Sequence, residues 1–237
     1  MKKIAALLVL AAGAAAANAG TVTADYALNA NGLNNLVGVN FSTNLPGYVG
    51  GRTDNSLMQF ASRTDLPAGP GVDTYLPQNF NAFCVEIGEG INVPSNTTHL
   101  NVVPLLGSTT TGGGISGPVF FDAVRTANMQ TLWGSFFGLL TNSVDAAAFQ
   151  LATWNIAFDN DLTLTGGNVW VDAGQFQPGV TDLAESMLGA IASGAASTQQ
   201  ELFLLTDPGV QDLISTPAPG AFALAGIGAL AAARRRR

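Results

Sequence analysis

The chain has 237 residues, 47% of them hydrophobic, and is long enough to bury a full core as one domain. Six of its nine basic residues lie at the two ends, so the body between them keeps three arginines, no lysine and all sixteen acids, a net charge of 3 − 16 = −13. Such a body repels nucleic acid and anionic lipid surfaces, which argues against a nucleic-acid partner.

The N-terminus has the pattern of a secretory signal peptide. Lys2 and Lys3 precede an apolar run rich in Ala and Leu, and Ala17-Asn18-Ala19 has the small-x-small pattern of a cleavage site. We therefore predict a signal peptide over residues 1–19, with Ala17 and Ala19 marking the cleavage site, and an exported mature chain that begins at Gly20.

The first hundred residues of the body favour strands. Short runs rich in Val, Tyr, Phe and Thr predict strands in TVTADYAL, LVGVNFST, AFCVEI and HLNVVPLL. Between residues 43 and 80, Pro, Gly, Asn and Asp predict a long loop with one short strand near SLMQFAS. In AFCVEI, Cys84 alternates with Phe83 and Val85, which places it on the face opposite the most apolar residues.

After the Gly-rich loop GSTTTGGGISGP the hydrophobic period changes to that of helices. A first helix is predicted over FFDAVRTANMQTLWGSFFGLL, and its apolar stripe is Phe121, Val124, Asn128, Leu132, Phe136 and Leu139. A second helix, SVDAAAFQLATWNIAF, has the N-terminal cap pattern of Asn142 with Asp145 three residues on. It is apolar on most sides and therefore buried, with Gln150 in its middle.

A third helix is predicted over VTDLAESMLGAIASGA, and strands over GNVWVD and ELFLLTD, followed by a linker to Pro217. These elements predict an α+β fold with a β-rich N-terminal half, a small segment of about three helices, and closing strands. The domain boundaries are residues 1–19 for the signal peptide, 20–214 for a single domain, and 215–237 for a C-terminal tail with a hydrophobic helix.

The tail combines three features. Pro217-Ala218-Pro219 comes first, an apolar run follows over residues 220–233, and four arginines end the chain: Arg234, Arg235, Arg236 and Arg237. The run is shorter than the about 20 residues of a stable membrane span, and the arginines favour a cytoplasmic end. The tail resembles the PEP-CTERM sorting signal of Gram-negative bacteria, with Pro-Ala-Pro where Pro-Glu-Pro is usual. The resemblance implies transient inner-membrane insertion, processing by an exosortase-type enzyme, and delivery to the cell surface or extracellular matrix.

Two residues of the body are unusual in their setting. Cys84 is the only cysteine, so it cannot form an internal disulfide, and Gln150 is an amide in an apolar helix, where burial without a partner costs about 1–3 kcal/mol. The blocks Phe83-Cys84-Val85-Glu86 and Gln150-Leu151-Ala152-Thr153-Trp154 resemble the two blocks of bacterial surface thioester domains. Phe149 stands where a Thr commonly precedes the Gln, and Thr153 where Ile or Val is usual.

This second resemblance implies an internal thioester, formed when the Cys84 sulfur attacks the Gln150 side-chain amide and expels ammonia. A nucleophile on a surface or matrix partner, such as an amine or a hydroxyl, would then be joined covalently to Gln150. Phe83, Phe149 and Trp154 would be the apolar wall that excludes water. The protein would be a covalent-capture adhesin that acts once, without a cofactor, and not an enzyme.

Other interpretations stay open from the sequence. Cys84 and Gln150 can be ordinary buried residues, Gln150 bonding a nearby backbone group, in a non-reactive structural matrix or biofilm protein with the same tail. A cysteine hydrolase would need His99, the only histidine, beside Cys84. Asp159-Asn160-Asp161 is a weak calcium pattern and favours a helix-ending turn, so no metal site is predicted.

Overall fold

The computed structural model describes residues 22–30, 36–43, 51–55, 58–63, 79–87, 98–112, 117–170 and 179–216. The predicted signal peptide with Ala17 and Ala19, and the tail from Pro217 to the terminal arginines, lie outside these ranges and stay predictions. Over the ranges that are described, no helix is long and apolar enough to cross a membrane.

Six strands close into an antiparallel barrel in the order β1-β4-β5-β9-β8-β6, and β3-β2-β7 form a second sheet. The strands that the described ranges contain are β1 Val22–Ala30, β2 Leu36–Thr43, β3 Gly51–Asn55, β4 Met58–Arg63, β5 Asn79–Cys84, β6 Thr98–Pro104, β7 Val169–Trp170, β8 Phe203–Asp207 and β9 Val210–Ser215. Because β5 lies between β4 and β9, its last residue, Cys84, is inside the sheet rather than at an edge.

Three α-helices follow the sixth strand, as the sequence predicts for an α+β fold: α1 Ala123–Phe136, α2 Ser143–Phe158 and α3 Val180–Ala192. A short 3-10 helix, Phe137–Leu139, continues from α1. The predicted cap of α2 is confirmed, because the Asn142 side chain accepts hydrogen bonds from the backbone N–H groups of Val144 and Asp145 at 2.8 and 3.0 Å. This cap fixes where α2 begins and hence which side of it carries Gln150.

Helix α2 is the centre of the core. Every residue from Ala146 to Ala157 is buried, which confirms the prediction of a helix covered on all sides. Phe83 of β5, Ile214 of β9 and Leu204 of β8 lie in one row across three paired strands and belong to the same core cluster as the helices. The helices therefore cover one face of the barrel wall at β5.

Two parts of the β prediction were wrong. The region from 43 to 80 contains two strands, β3 and β4, rather than one. Strand β3 was missed because Gly, Asp and Asn in GRTDN have low strand propensity, and it forms by pairing with β2. The predicted linker before Pro217 contains β9, which pairs with both β5 and β8. Its Gln211 and Asp212 are polar, yet both are buried.

The predicted apolar stripe of α1 was confirmed only in part. Phe121 and Leu132 are fully buried, but Val124 is 63% exposed, and Leu139 is 66% exposed and follows the end of the helix. Met129 and Trp133 share the buried side of α1 with Leu132. The helix is turned so that Trp133, rather than the predicted stripe, meets the aromatic rings beside β5.

Candidate functional site

Cys84 is the last residue of β5 and is fully buried. Its neighbours Phe83 and Val85 belong to the core cluster under the helices, so strand alternation gives Cys84 the opposite face, as the sequence predicts. Burial, and secondarily the negative charge of Glu86, raise the pKa of the Cys84 thiol far above its usual range. The sulfur is therefore a neutral thiol at neutral pH and needs a base before it can act as a nucleophile.

Gln150 is brought to Cys84 by the packing of α2 on β5. Its side-chain nitrogen Nε2 donates a hydrogen bond to the backbone oxygen of Cys84, at 2.7 Å and across 66 residues of sequence. The side chain is almost wholly buried. The structure thus brings together the two residues that the sequence singles out, through a hydrogen bond from the side-chain amide of Gln150 to the backbone carbonyl of Cys84.

The carbonyl that Gln150 contacts lies on the β4 side of β5. The backbone N–H of Val85 donates to Asp212 of β9, so the preceding residue, Cys84, directs its backbone groups toward β4. The described β4–β5 ladder ends with the pair of Met58 and Phe83, one residue before Cys84. Gln150 donates to the carbonyl at that position.

The amide of Gln150 is only half satisfied. Its oxygen Oε1 is buried and has no hydrogen-bond partner among the residues that the structure describes. The amide carbon is one bond, about 1.3 Å, from Nε2, so it lies at most about 4 Å from the Cys84 oxygen. The electrophilic carbon of the predicted reaction is thus held beside the Cys84 backbone in a buried setting.

Four aromatic rings pack beside these two residues. Phe83 and Phe149, both predicted as apolar wall, lie 4.7 Å apart between ring centroids. Trp133 contacts both of them in edge-to-face geometry, at 5.7 and 5.4 Å, and stacks on Phe137 at 4.6 Å. Since Phe83 precedes Cys84 and Phe149 precedes Gln150, the cluster links the strand and the helix that carry the two residues.

Trp154, the third predicted wall residue, is buried one helical turn after Gln150, on the same side of α2. Sequence reasoning missed Trp133 and Phe137. The only signal for them was that Trp-Gly-Ser-Phe-Phe carries three aromatic residues near the end of α1.

A pair of buried carboxyl groups was also missed. Glu86 Oε1 accepts from the backbone N–H of Gly112 at 2.8 Å, and Glu86 Oε2 from that of Asp212 at 3.3 Å. The Asp212 carboxyl accepts from the backbone and hydroxyl of Thr111 and from the backbone of Asp207. Burial, and then the charge of Glu86, raise the pKa of Asp212 to about 7, although its hydrogen bonds lower it.

The remaining candidates lie elsewhere. His99 is in β6, opposite Asp25 of β1, and two strands separate β6 from β5 in either direction around the barrel. Asp159 ends α2 and accepts from the backbone N–H groups of Asn168 and Val169, so it shapes a helix-ending turn. Across the described ranges, no group of three or more His, Cys, Asp or Glu residues could hold a metal ion.

The chain matches no protein-family model and no curated protein sequence. The solved structures that are similar to it include two from bacterial surface proteins. One is the N-terminal thioester domain of a surface protein from Clostridium perfringens, at 11% identity and a TM-score of 0.38, covering 76% of this chain and 98% of that one. The other is a cysteine-to-alanine mutant of the pilus-presented adhesin Spy0125 (Cpa), at 12% identity and a TM-score of 0.28, covering 76% of this chain and 63% of that one. Scores and identities of this size do not establish a shared chemistry, so the site is interpreted from its own residues.

Proposed function

We propose that this protein is an exported surface or matrix adhesin that captures its partner covalently through an internal thioester between Cys84 and Gln150. One observation carries the proposal. The side-chain amide of Gln150 is buried against the only cysteine of the chain, with a 2.7 Å hydrogen bond to the Cys84 carbonyl. A long amide in the middle of a buried helix is costly to keep, and here it contacts the backbone of the residue that would supply the thiol.

The chemistry has two steps. In the first, the Cys84 sulfur forms a bond to the Gln150 side-chain carbon, the bond from this carbon to Nε2 breaks, and the thiol proton leaves with the nitrogen as ammonia. In the second, an amine or hydroxyl of a partner attacks the same carbon, and the sulfur departs and regains a proton. The partner is then joined to Gln150 by an amide or ester bond. Each molecule reacts once, so the activity is capture rather than turnover.

The surroundings suit a stored electrophile. The Gln150 side chain is buried, and the rings of Phe83, Phe149 and Trp133 pack together on the strand and helices around it, so water would be kept from the acyl group. The chain between its two ends has no lysine. No lysine amine of the folded body can therefore consume the bond before a partner arrives.

The ends of the chain supply the proposed location. The signal peptide over residues 1–19 would direct export, and the tail over residues 215–237 would hold the protein in the inner membrane. An exosortase-type enzyme would recognise Pro217 and Pro219 and transfer the protein to the cell surface or matrix. Attachment by a reactive bond is useful there, because a covalent joint resists dilution and force.

Methylamine tests the reactive bond. The purified mature protein should take up one methylamine, and peptide mapping should place it on Gln150. Cys84→Ala should take up none, while a matched control at an exposed glutamine, Gln199→Ala, should react like the wild type. A folded wild type that ignores methylamine would contradict the proposal.

A second candidate is a structural matrix protein with the same tail and no reactive bond. It is favoured by the same hydrogen bond, because a Gln150 amide that satisfies the Cys84 carbonyl also has a purely structural use. The unpartnered Oε1 is the feature that this alternative leaves unexplained. The methylamine experiment separates the two candidates.

A further inference from the structure

The carboxyl groups of Asp212 and Glu86 lie close together inside the fold, because they accept hydrogen bonds from the consecutive backbone N–H groups of Thr111 and Gly112, at 2.6 and 2.8 Å. Both residues are fully buried, and the backbone N–H of Asp212 donates to Glu86 Oε2 at 3.3 Å. Their described hydrogen-bond partners are neutral N–H and O–H groups, from Gly112, Thr111 and Asp207. Two acids buried without a described cation are costly, and such arrangements are concentrated at functional sites.

The pair lies next to the predicted reactive cysteine. Glu86 follows Cys84 by two residues, and in extended chain side chains two residues apart point to the same face. The charge of Glu86 acts on the Cys84 thiol directly, since it is one of the two causes that raise the pKa of this thiol. Asp212 is on β9, whose Leu213 pairs with Cys84. The described titratable groups that face Glu86 are therefore the Cys84 thiol on its own segment and the Asp212 carboxyl on the neighbouring strand.

We propose that Glu86 is the base that receives the thiol proton of Cys84 during thioester formation, and that Asp212 is a positioning residue that orients Glu86. The inference rests on the proposed thioester function and names the residue that accepts the proton during thioester formation. It explains why a fully buried thiol, which does not ionise in water at neutral pH, can become a nucleophile.

The step balances within the site. As the sulfur bonds to the Gln150 carbon, the thiol proton moves to the Glu86 carboxylate. As the carbon–nitrogen bond breaks, Glu86 returns this proton to Nε2, and the nitrogen leaves as ammonia. Glu86 ends as it began, as a carboxylate, and no oxidant, metal or further reactant is needed.

Asp212 gives this step a pH dependence. Moving the proton from sulfur to Glu86 moves negative charge away from Asp212, which contacts Glu86. An ionised Asp212 therefore favours the transfer. Because the pKa of Asp212 is raised to about 7, thioester formation should become faster as the pH rises from 6 to 8. Direct ionisation of the Cys84 thiol does not contribute in this range, because its pKa is raised far above it.

Ammonium provides a reversible probe. Incubation of the full mature protein with ammonium chloride should open the thioester to Gln150 and the Cys84 thiol. Removal of the ammonium by gel filtration allows the thioester to form again. Intact mass spectrometry follows this reaction, because each molecule that forms the bond becomes lighter by one ammonia. General-base catalysis is worth about 100-fold or more, so Glu86→Gln should re-form the bond at least about 100-fold more slowly than wild type. Glu201→Gln, the same change at an exposed position, should behave like wild type.

Two further variants separate proton transfer from packing. Thr111→Val removes a hydroxyl donor to Asp212 but keeps both acids, and should keep a rise with pH that is displaced to higher pH, because this hydrogen bond lowers the pKa of Asp212. Asp212→Asn should form the thioester at a rate that no longer rises between pH 6 and 8. This measurement tests the inference even if Glu86→Gln does not fold. A folded Glu86→Gln that re-forms the bond at the wild-type rate, or an Asp212→Asn that keeps the rise, would overturn the inference. A wild type that never shows the mass loss would instead overturn the thioester itself.

Discussion

The side-chain nitrogen of Gln150 lies 2.7 Å from the backbone oxygen of Cys84, and this hydrogen bond joins helix α2 to the end of strand β5. It forms at a carbonyl directed away from β9. The bond therefore serves the fold, by giving a buried carbonyl a donor, and also holds the amide beside the backbone of the residue that carries the thiol. The two uses can be separated by experiment.

The structural use is measured where no thioester can form. In a Cys84→Ala background, adding Gln150→Leu removes the side-chain hydrogen bond to the buried carbonyl of residue 84. We expect a loss of about 1–3 kcal/mol in the free energy of unfolding, measured by urea denaturation. In the same background Gln199→Leu, at an exposed position, should change it by less than about 0.5 kcal/mol. Equal stabilities of the two double variants would show that the hydrogen bond contributes nothing to the fold.

The aromatic cluster should carry a large part of the local stability. Trp133 is buried and contacts Phe83, Phe149 and Phe137, so Trp133→Ala should cost about 3–5 kcal/mol in guanidinium denaturation. Val124→Ala, on the exposed side of the same helix, is the control and should change stability by less than about 0.5 kcal/mol. A small effect of Trp133→Ala would mean that the cluster does not form the wall proposed for the site.

The sequence allowed the helix of Gln150 to be predicted to the residue. Asn142 and Asp145 are a local capping signal, and the apolar run that follows is long enough to distinguish a buried helix from a strand. The strand of Cys84 was likewise predicted, because Phe-Cys-Val-Glu-Ile alternates in a short run. The closeness of the two residues was inferred only from a resemblance, since periodicity within each element does not say which elements meet.

The missed features depend on contacts between distant segments. The segment of β9 was predicted to be a linker, but its polar residues Gln211 and Asp212 are buried with hydrogen-bond partners from Glu86 and Thr111, which are distant in the sequence. The stripe of α1 was misplaced because the sequence contains two overlapping apolar faces. The choice between them is made by Trp133 packing on rings from β5 and α2. Contacts of this kind cannot be predicted from secondary-structure propensity or from the spacing of apolar residues within one element.

The buried acid of β9 should make the fold less stable as the pH rises. The ordinary pKa of Asp212 is 3.8, and burial beside Glu86 raises it to about 7, so between these values the folded state binds more protons than the unfolded state. Stability should therefore fall from pH 4 to pH 7, by about 1.4 kcal/mol for each unit of the shift. Asp212→Asn should lose this pH dependence. The stability of the variant minus that of wild type should therefore be larger at pH 8 than at pH 5.

Thermal and urea unfolding at several pH values measure this difference. Asp159 and Glu201 also have raised pKa values and remain in both proteins, so their contributions cancel in the comparison. Parallel stability curves for wild type and Asp212→Asn between pH 4 and 8 would contradict the raised pKa of Asp212.

The central claim is that the Cys84 sulfur is acylated by Gln150, and intact mass spectrometry of the freshly purified mature protein tests it most directly. Wild type should weigh one ammonia less than its sequence. Cys84→Ala and Gln150→Ala should each have the full mass of their own sequences, and Gln199→Ala should keep the loss shown by wild type. A folded wild type at its full sequence mass would contradict the thioester and leave the Gln150–Cys84 hydrogen bond as a structural contact.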